Sequence, residues 1–179
     1  FRKPEVLEET TKSYTAVRKG LLIHFILQNL DFSSLTTVED IKQYTEKLTY
    51  QNVISEQDKK YINPFKIYKF LNSGIGKELK KSNEIYREYE FILEDSGISN
   101  SLIQGIIDLF FVTSDGKVIL VDFKTDRLES EQEFIKRYKI QLDIYKKAIN
   151  SLTRYNVDLT YIYSFNLDKE IEIKEEEDE

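Results

Sequence analysis

Two apolar runs joined by one short turn fix more of this chain's fold than any other feature. Ile106, Ile107, Leu109, Phe110, Phe111 and Val112 lead into Ser114-Asp115-Gly116, and Val118, Ile119, Leu120 and Val121 follow. Runs of β-branched and aromatic residues on either side of an Asp-Gly turn predict a hairpin. Its loop length sets the register. A three-residue loop, a type I turn with Gly116 in the left-handed position, puts Thr113 opposite Lys117 and, counting back, Asp108 opposite Asp122. A two-residue turn would put Phe123 opposite Asp108 instead. Directly opposed residues have β-carbons roughly 4.5 to 5.5 Å apart and like charges there repel, so the three-residue register calls for a cation between the acids. Lys124 lies two residues past Asp122 and projects from the same face of its strand.

Around this hairpin the first half of the chain reads as helical and the second half as mixed. Residues 20–30 are apolar nearly all round, which predicts a buried helix. Thr37-Val38-Glu39-Asp40 offers an N-cap and first-turn acids for a helix running to about Thr49. Asn63-Pro64 opens another, with Phe65, Tyr68 and Leu71 at helical spacing and Gly74 as its end. Residues 84–93 alternate as a strand. Residues 131–150 predict a long amphipathic helix with Ile135, Tyr138, Leu142, Tyr145 and Ile149 on its core stripe. Residues 157–165 and 171–174 complete the sheet, and residues 170–179 read as an acidic tail.

The absence of cysteine excludes disulfides, zinc-thiolate sites and iron-sulfur clusters within these residues. There is no apolar run of about 18 residues and no signal-peptide pattern, so neither membrane insertion nor export is expected and a cytoplasmic location is. No methionine occurs, even at position 1, as expected of an excised piece of a larger chain.

An acid on one strand and acid-x-lysine on its neighbour is the arrangement of the PD-(D/E)XK nucleases, and this chain resembles one branch of them. Gly105-Ile106-Ile107-Asp108 and Val121-Asp122-Phe123-Lys124-Thr125-Asp126 resemble segments of the nuclease domain of AddA-type (RexA-type) bacterial helicase-nucleases, relatives of RecB. Arg137-Tyr138-Lys139-Ile140-Gln141-Leu142-Asp143-Ile144-Tyr145 resembles that family's Arg-Tyr-x-x-Gln-Leu-x-x-Tyr helix, with Asp143 beside the Leu. The segment from Gly20 to Gln28, with His24 inside it, resembles its early Gly-x-x-x-His helix. Arg87-Glu88-Tyr89-Glu90-Phe91 is a weaker match. The resemblance spans roughly residues 17–165, with all four motifs in the family's order. It implies an α/β fold: a restriction-endonuclease-like core, a central mixed β-sheet flanked by helices, with a helical N-terminal half. With 179 residues the chain is long enough for one nuclease domain and too short for helicase motors.

The resemblance also implies roles. Asp108 and Asp122 would hold Mg²⁺ or Mn²⁺ as hard oxygen ligands, with His24 and the carbonyl of Phe123 completing the set. Lys124 would orient the attacking water and offset developing charge. Gln141 and Tyr145, one helical turn apart, and Arg137 one turn earlier can share a face and hold the phosphate. Glu88 would reach the metal through water, while Gln104 and Asp126 would support the ligands from behind. Plainer roles stand beside these: solvated strand acids, a simple Lys124–Asp122 ion pair, a core histidine, a packed Tyr145 ring. The expected partners are single-stranded DNA and an AddB/RexB-type second subunit. ATP would be used only by a helicase part outside this chain. The alternatives are a catalytically silent module of the same fold, or a free-standing phage-type or CRISPR-associated exonuclease.

The net charge of -6 runs against DNA binding at first sight. Residues 170–179 carry seven acids and Lys174, however, and the rest of the chain is close to neutral. Lys59, Lys60, Lys66, Lys69, Lys77, Lys80 and Lys81 are either a basic face or an ordinary solvated helix surface.

Overall fold

The computed structural model describes residues 5–95 and 101–174, with side chains for 15–94 and 101–174. The chain divides into two compact units, Phe1–Lys69 and Phe70–Glu179.

The first unit is helical: α1 (Glu5–Asn29), α2 (Val38–Tyr50), α3 (Glu56–Lys59) and most of α4 (Pro64–Leu71), within which the division falls. Helix α1 buries Leu22, Ile23, Ile26 and Leu27 but exposes Val17 and Leu21, so it is amphipathic where an all-round apolar helix was expected. Thr37 caps α2 as anticipated: its hydroxyl accepts from the Asp40 amide at 3.1 Å, and Asp40 accepts in return from the Thr37 amide at 2.8 Å. The Arg18 guanidinium grips Asp58 through two bonds of 2.7 and 2.6 Å and holds that carboxyl down at about 2. Lys59 lies 3.7 Å from Glu46.

Helix α4 begins at Pro64, as expected. The expected stripe of Phe65, Tyr68 and Leu71 is only partly right, because Phe65 is half exposed and the buried positions are Ile67, Phe70 and Leu71. Gly74 does not end this helix. It opens the next one, α5 (Gly74–Lys81), behind the cap Ser73. The physical reason lies far along the chain. The Glu170 carboxylate accepts from the Ile75 amide at 2.5 Å, and a β-carbon on Gly74 would sit 3.1 Å from the same carboxylate. A helix N-terminus favours an anion, and only glycine leaves this one its seat.

The second unit holds α5, a five-stranded sheet in the order β1-β2-β3-β4-β5, and α6. The strands are β1 (Glu84–Asp95), β2 (Ser101–Val112), β3 (Val118–Lys124), β4 (Leu159–Ser164) and β5 (Lys169–Glu172). Strands β3 and β4 are parallel and the other pairs antiparallel, so the sheet is mixed. Parallel neighbours need a crossover, and α6 (Glu131–Leu152) supplies it. Phe134, Leu142, Tyr145, Ala148 and Ile149 of α6 join Ile107, Phe110, Val118, Leu120 and Ile162 in the core. The first residues of the expected acidic tail belong to β5, with Ile171 buried; the rest of it, residues 175–179, lies outside the described residues. Among the described residues no helix is long and apolar enough to cross a membrane.

Candidate active site

The site begins with the hairpin turn. Thr113 donates its amide to the Lys117 carbonyl at 2.8 Å, Gly116 donates to the Thr113 carbonyl at 3.0 Å, and Gly116 has φ +88. The loop therefore has three residues, and the ladder runs from Val112 opposite Val118 to Leu109 opposite Val121. One step further this register sets Asp108 opposite Asp122. The regular ladder stops there because the Asp108 carboxylate, in place of a carbonyl, accepts the Phe123 amide at 2.8 Å.

Strand β1 is disturbed at the same level. Arg87 pairs with Leu109 and Tyr89 with Ile107, which leaves Glu88 opposite Asp108 with φ +48. Residues three apart in a regular strand face opposite sides. Here Tyr86 and Tyr89 both pack on Phe110, with ring centroids at 4.5 and 5.5 Å, so the strand changes phase at Glu88. Ile107 and Phe110 show the same three-residue step on β2, since both belong to one core cluster. Backbone strain of this kind costs on the order of 1–3 kcal/mol and persists only where the surroundings impose it. The outcome is a row of acids, Glu88, Asp108 and Asp122, on three adjacent strands.

Carboxylate oxygens of Glu88 and Asp108 approach within 4.8 Å. Asp122 is 2% exposed, and Lys124, from the same face as expected, lies 2.8 Å from its Oδ2. Two converging carboxylates beside a buried third are the donor set that a hard divalent cation prefers. Lys124 also donates to Gln141 Oε1 at 3.2 Å, and Gln141 Nε2 donates to the Tyr145 hydroxyl at 2.7 Å. Asp122, Lys124, Gln141 and Tyr145 thus form one continuous chain from β3 to α6. Burial raises the Tyr145 pKa; the Gln141 hydrogen bond lowers it, and the charges of Asp122, Asp108 and Glu88 raise it again. Tyr145 therefore remains a neutral phenol facing the acids.

Glycine in Gly105-Ile106-Ile107-Asp108 has a steric cause. Gly105 pairs with Phe91, and a β-carbon on it would come within 2.8 Å of two Phe91 ring carbons. The Phe91 ring occupies that space and meets Tyr145 edge-on, with centroids at 5.7 Å. The glycine thus seats the aromatic ring that backs Tyr145.

Other expected residues fall in different places. Arg137 does not join Gln141; it lies 3.8 Å from Asp126. Asp143 pairs with Lys139 at 2.9 Å on the outer side of α6. Gln104 is exposed and lines, with Glu90, Ile92 and Ile106, a groove of about 540 Å³ on the β1–β2 ribbon. The Phe123 side chain is buried against Phe70, at 5.1 Å, and Phe165, at 6.0 Å, which leaves only its backbone for a site role. His24 is half-buried on α1, in the first unit. Tyr138, read from spacing as a core residue, instead has its ring 4.4 Å from the Lys124 ammonium. No single-sequence signal marks that contact, although Tyr138 stands inside the Arg-Tyr-x-x-Gln motif. The left-handed Glu88 was equally invisible, because its strand is not interrupted by glycine or proline.

Similarity to known proteins agrees with this geometry. A model described as the PD-(D/E)XK nuclease superfamily matches residues 2–179. The chain is also similar to proteins named as the first of the subunits of an ATP-dependent helicase/nuclease, the AddA type. The one from Clostridium perfringens is 36% identical over 98% of this chain, that from Clostridium botulinum type E3 38% over 94%, and that from Alkaliphilus oremlandii 33% over 96%. The chain spans about 15% of the length of these relatives. With the acid row, the buried aspartate–lysine pair and a family match along nearly its whole length, this chain belongs to the PD-(D/E)XK nuclease superfamily.

Proposed function

We propose that the chain is the nuclease domain of a longer helicase-nuclease and hydrolyses phosphodiester bonds of single-stranded DNA during double-strand-break repair and recombination. The observation that carries this reading is the buried Asp122–Lys124 pair set across from Asp108, with Glu88 beside it. The names of the relatives support the larger context, including DNA delivered by an attached ATP-driven helicase, a second subunit of AddB/RexB type and work in the cytoplasm.

A phosphodiester is shielded by its own charge, so a hydrolase must neutralise its oxygens, present a hydroxide and stabilise the leaving oxygen. Mg²⁺ or Mn²⁺ held by Asp108 and Asp122 would supply the Lewis acidity that activates water and neutralises the phosphate. Phe123 has its amide turned towards β2, and in a regular strand the carbonyl of the same residue faces the same neighbour. That supports the carbonyl as a further ligand. His24 is assigned to the same ion by the resemblance of its helix, not by a distance. Lys124 would release part of its hold on Asp122 and turn an N–H towards the attacking water or the phosphate oxygen. Gln141 steers that ammonium, and Tyr145, kept protonated, offers a hydroxyl to the strand being cut.

The test is cleavage of a labelled single-stranded oligonucleotide with Mg²⁺ or Mn²⁺, by the chain and by Asp122→Ala and Lys124→Ala. Metal-dependent cutting lost in both variants supports the reading. No cutting, together with no metal binding by calorimetry, would replace it with a silent module of the same fold; intact Asp108, Asp122 and Lys124 speak against that module.

A further inference from the structure

Lys124 carries three N–H donors. Asp122 lies 2.8 Å from its nitrogen and Gln141 Oε1 3.2 Å away, and the centroid of the Tyr138 ring is at 4.4 Å. The ring is itself fixed. Its hydroxyl is hydrogen-bonded to Asp126, and burial, followed by that bond, raises the Tyr138 pKa, so the phenol stays neutral. Phe134 flanks the ring at 6.3 Å, and Arg137, 3.8 Å from Asp126, lies 5.5 Å from its centroid.

We propose that Tyr138 is a positioning residue for Lys124: the face of its ring, anchored through Asp126, keeps the ammonium aimed into the site when Asp122 is engaged by a divalent cation. The proposal rests on the nuclease reading above. A cation whose counter-ion is drawn away turns towards water unless something else attracts it. Lys124 is only 15% exposed in its side chain, and what remains around it is the Gln141 carbonyl and the ring. A third carboxylate there would also hold the ammonium, but it would compete with Asp108 and Asp122 for the metal. An aromatic face attracts the cation without adding a metal ligand or a charge. Tyr138 can thus guide Lys124 and leave the acid row unaltered.

The test separates the ring's charge distribution from its bulk. Tyr138 is replaced by Phe, by phenylalanines of increasing ring fluorination, which keep the shape while making the face less negative, and by Leu. The first readout is metal-free: in ¹³C-lysine-labelled chain, the Lys124 Hε signal, identified by its loss in Lys124→Arg, is expected upfield from the ring current. Tyr138→Phe should keep that shift, and heavy fluorination and Leu should abolish it. The second is steady-state cutting. The rate constant kcat should fall progressively with fluorination, to about one tenth for the fully fluorinated ring and for Leu, from loss of a desolvated cation–π contact. KM for the oligonucleotide and Mn²⁺ affinity by calorimetry should stay within about twofold, since only a uniform binding loss would move KM alone.

An unchanged kcat across the folded fluorinated series would overturn the proposal. So would a Tyr138→Phe variant as slow as Leu, which would assign the effect to the hydroxyl. If the unaltered chain does not cut at all, the nuclease reading fails separately. The lysine signal then still decides whether the ring holds Lys124, and a signal at the ordinary lysine position overturns the positioning role.

Discussion

The two ends of the β2–β3 hairpin share one register but are built for different ends. Near the turn, Val112 to Leu109 pair with Val118 to Val121 without interruption, and Phe110 and Leu120 are fully buried. Every backbone group there meets another backbone group, and the side chains are apolar. One step beyond Leu109 the same ladder meets Asp108 and Asp122, and regularity ends. A carboxylate takes the place of a carbonyl, a buried acid needs a lysine, and the neighbouring strand turns through a left-handed residue. Stability is concentrated at the turn end, while the far end carries strain and like charges. Such strain is retained where a ligand is meant to relieve it.

The largest expected effects come from removing charges at the strained end, and activity and stability should separate there. Asp108→Asn and Asp122→Asn should each lower metal-dependent cutting by more than about 10³-fold, because the ion loses a ligand. Without metal, however, Asp108→Asn removes one of two carboxylates within 4.8 Å, while its carbonyl can still accept the Phe123 amide. It should therefore raise stability in urea by about 1 kcal/mol, the size of a like-charge contact in a sheet. Lys124→Met should also abolish cutting but cost about 3 kcal/mol, since it leaves Asp122 buried without its cation. An Asp108→Asn chain less stable than the parent would remove the contrast between the two ends.

The next comparison uses one glycine from each end. Gly105→Ala drives a β-carbon to 2.8 Å from the Phe91 ring, which must shift against Tyr145. A loss of about 2 kcal/mol, typical of overpacking, and slower cutting are expected together. Gly116→Ala meets nothing within 4 Å but is strained by φ +88. It should cost about 1 kcal/mol and leave cutting unchanged. Thermal unfolding and a single-turnover assay on both variants check this. Equal loss of cutting in the two would mean that the Gly105–Phe91–Tyr145 packing does not serve the site.

What the sequence made legible follows from how local each cause is. The register could be counted because Gly116 permits the left-handed position, and the capping box at Thr37 lies within four residues. The core stripe on α6 was read correctly at Leu142, Tyr145 and Ile149 but missed Phe134 and Ala148. Gly74 was misread because its reason, the Glu170 carboxylate, stands on β5. Gly105 was legible as part of a motif, but its partner Phe91 is on another strand. Tyr138 followed a helical period that holds for core residues, and the period carries no information about a lysine on β3. Long-range causes leave no local trace, and these are the ones that shape the site.

The smallest expected effect bears most directly on the strained end. Glu88 has φ +48, a conformation that costs a β-carbon-bearing residue about 1 kcal/mol and glycine nothing. Glu88→Gly should relieve both this strain and the repulsion from Asp108, giving a chain more stable by about 1 kcal/mol in the absence of metal. Glu88→Gln relieves only the repulsion. Asn52, at φ 56, serves as the reference: asparagine tolerates this region, so Asn52→Gly should gain only a few tenths of a kcal/mol. Urea unfolding with and without Mn²⁺ decides the role. If Glu88 helps to receive the ion, Mn²⁺ should stabilise the parent more than either Glu88 variant, and by the same difference for both, because the carboxylate is what they share in losing. If Mn²⁺ stabilises all three alike, the left-handed turn serves only to change the phase of β1, and the acid row contributes two carboxylates rather than three.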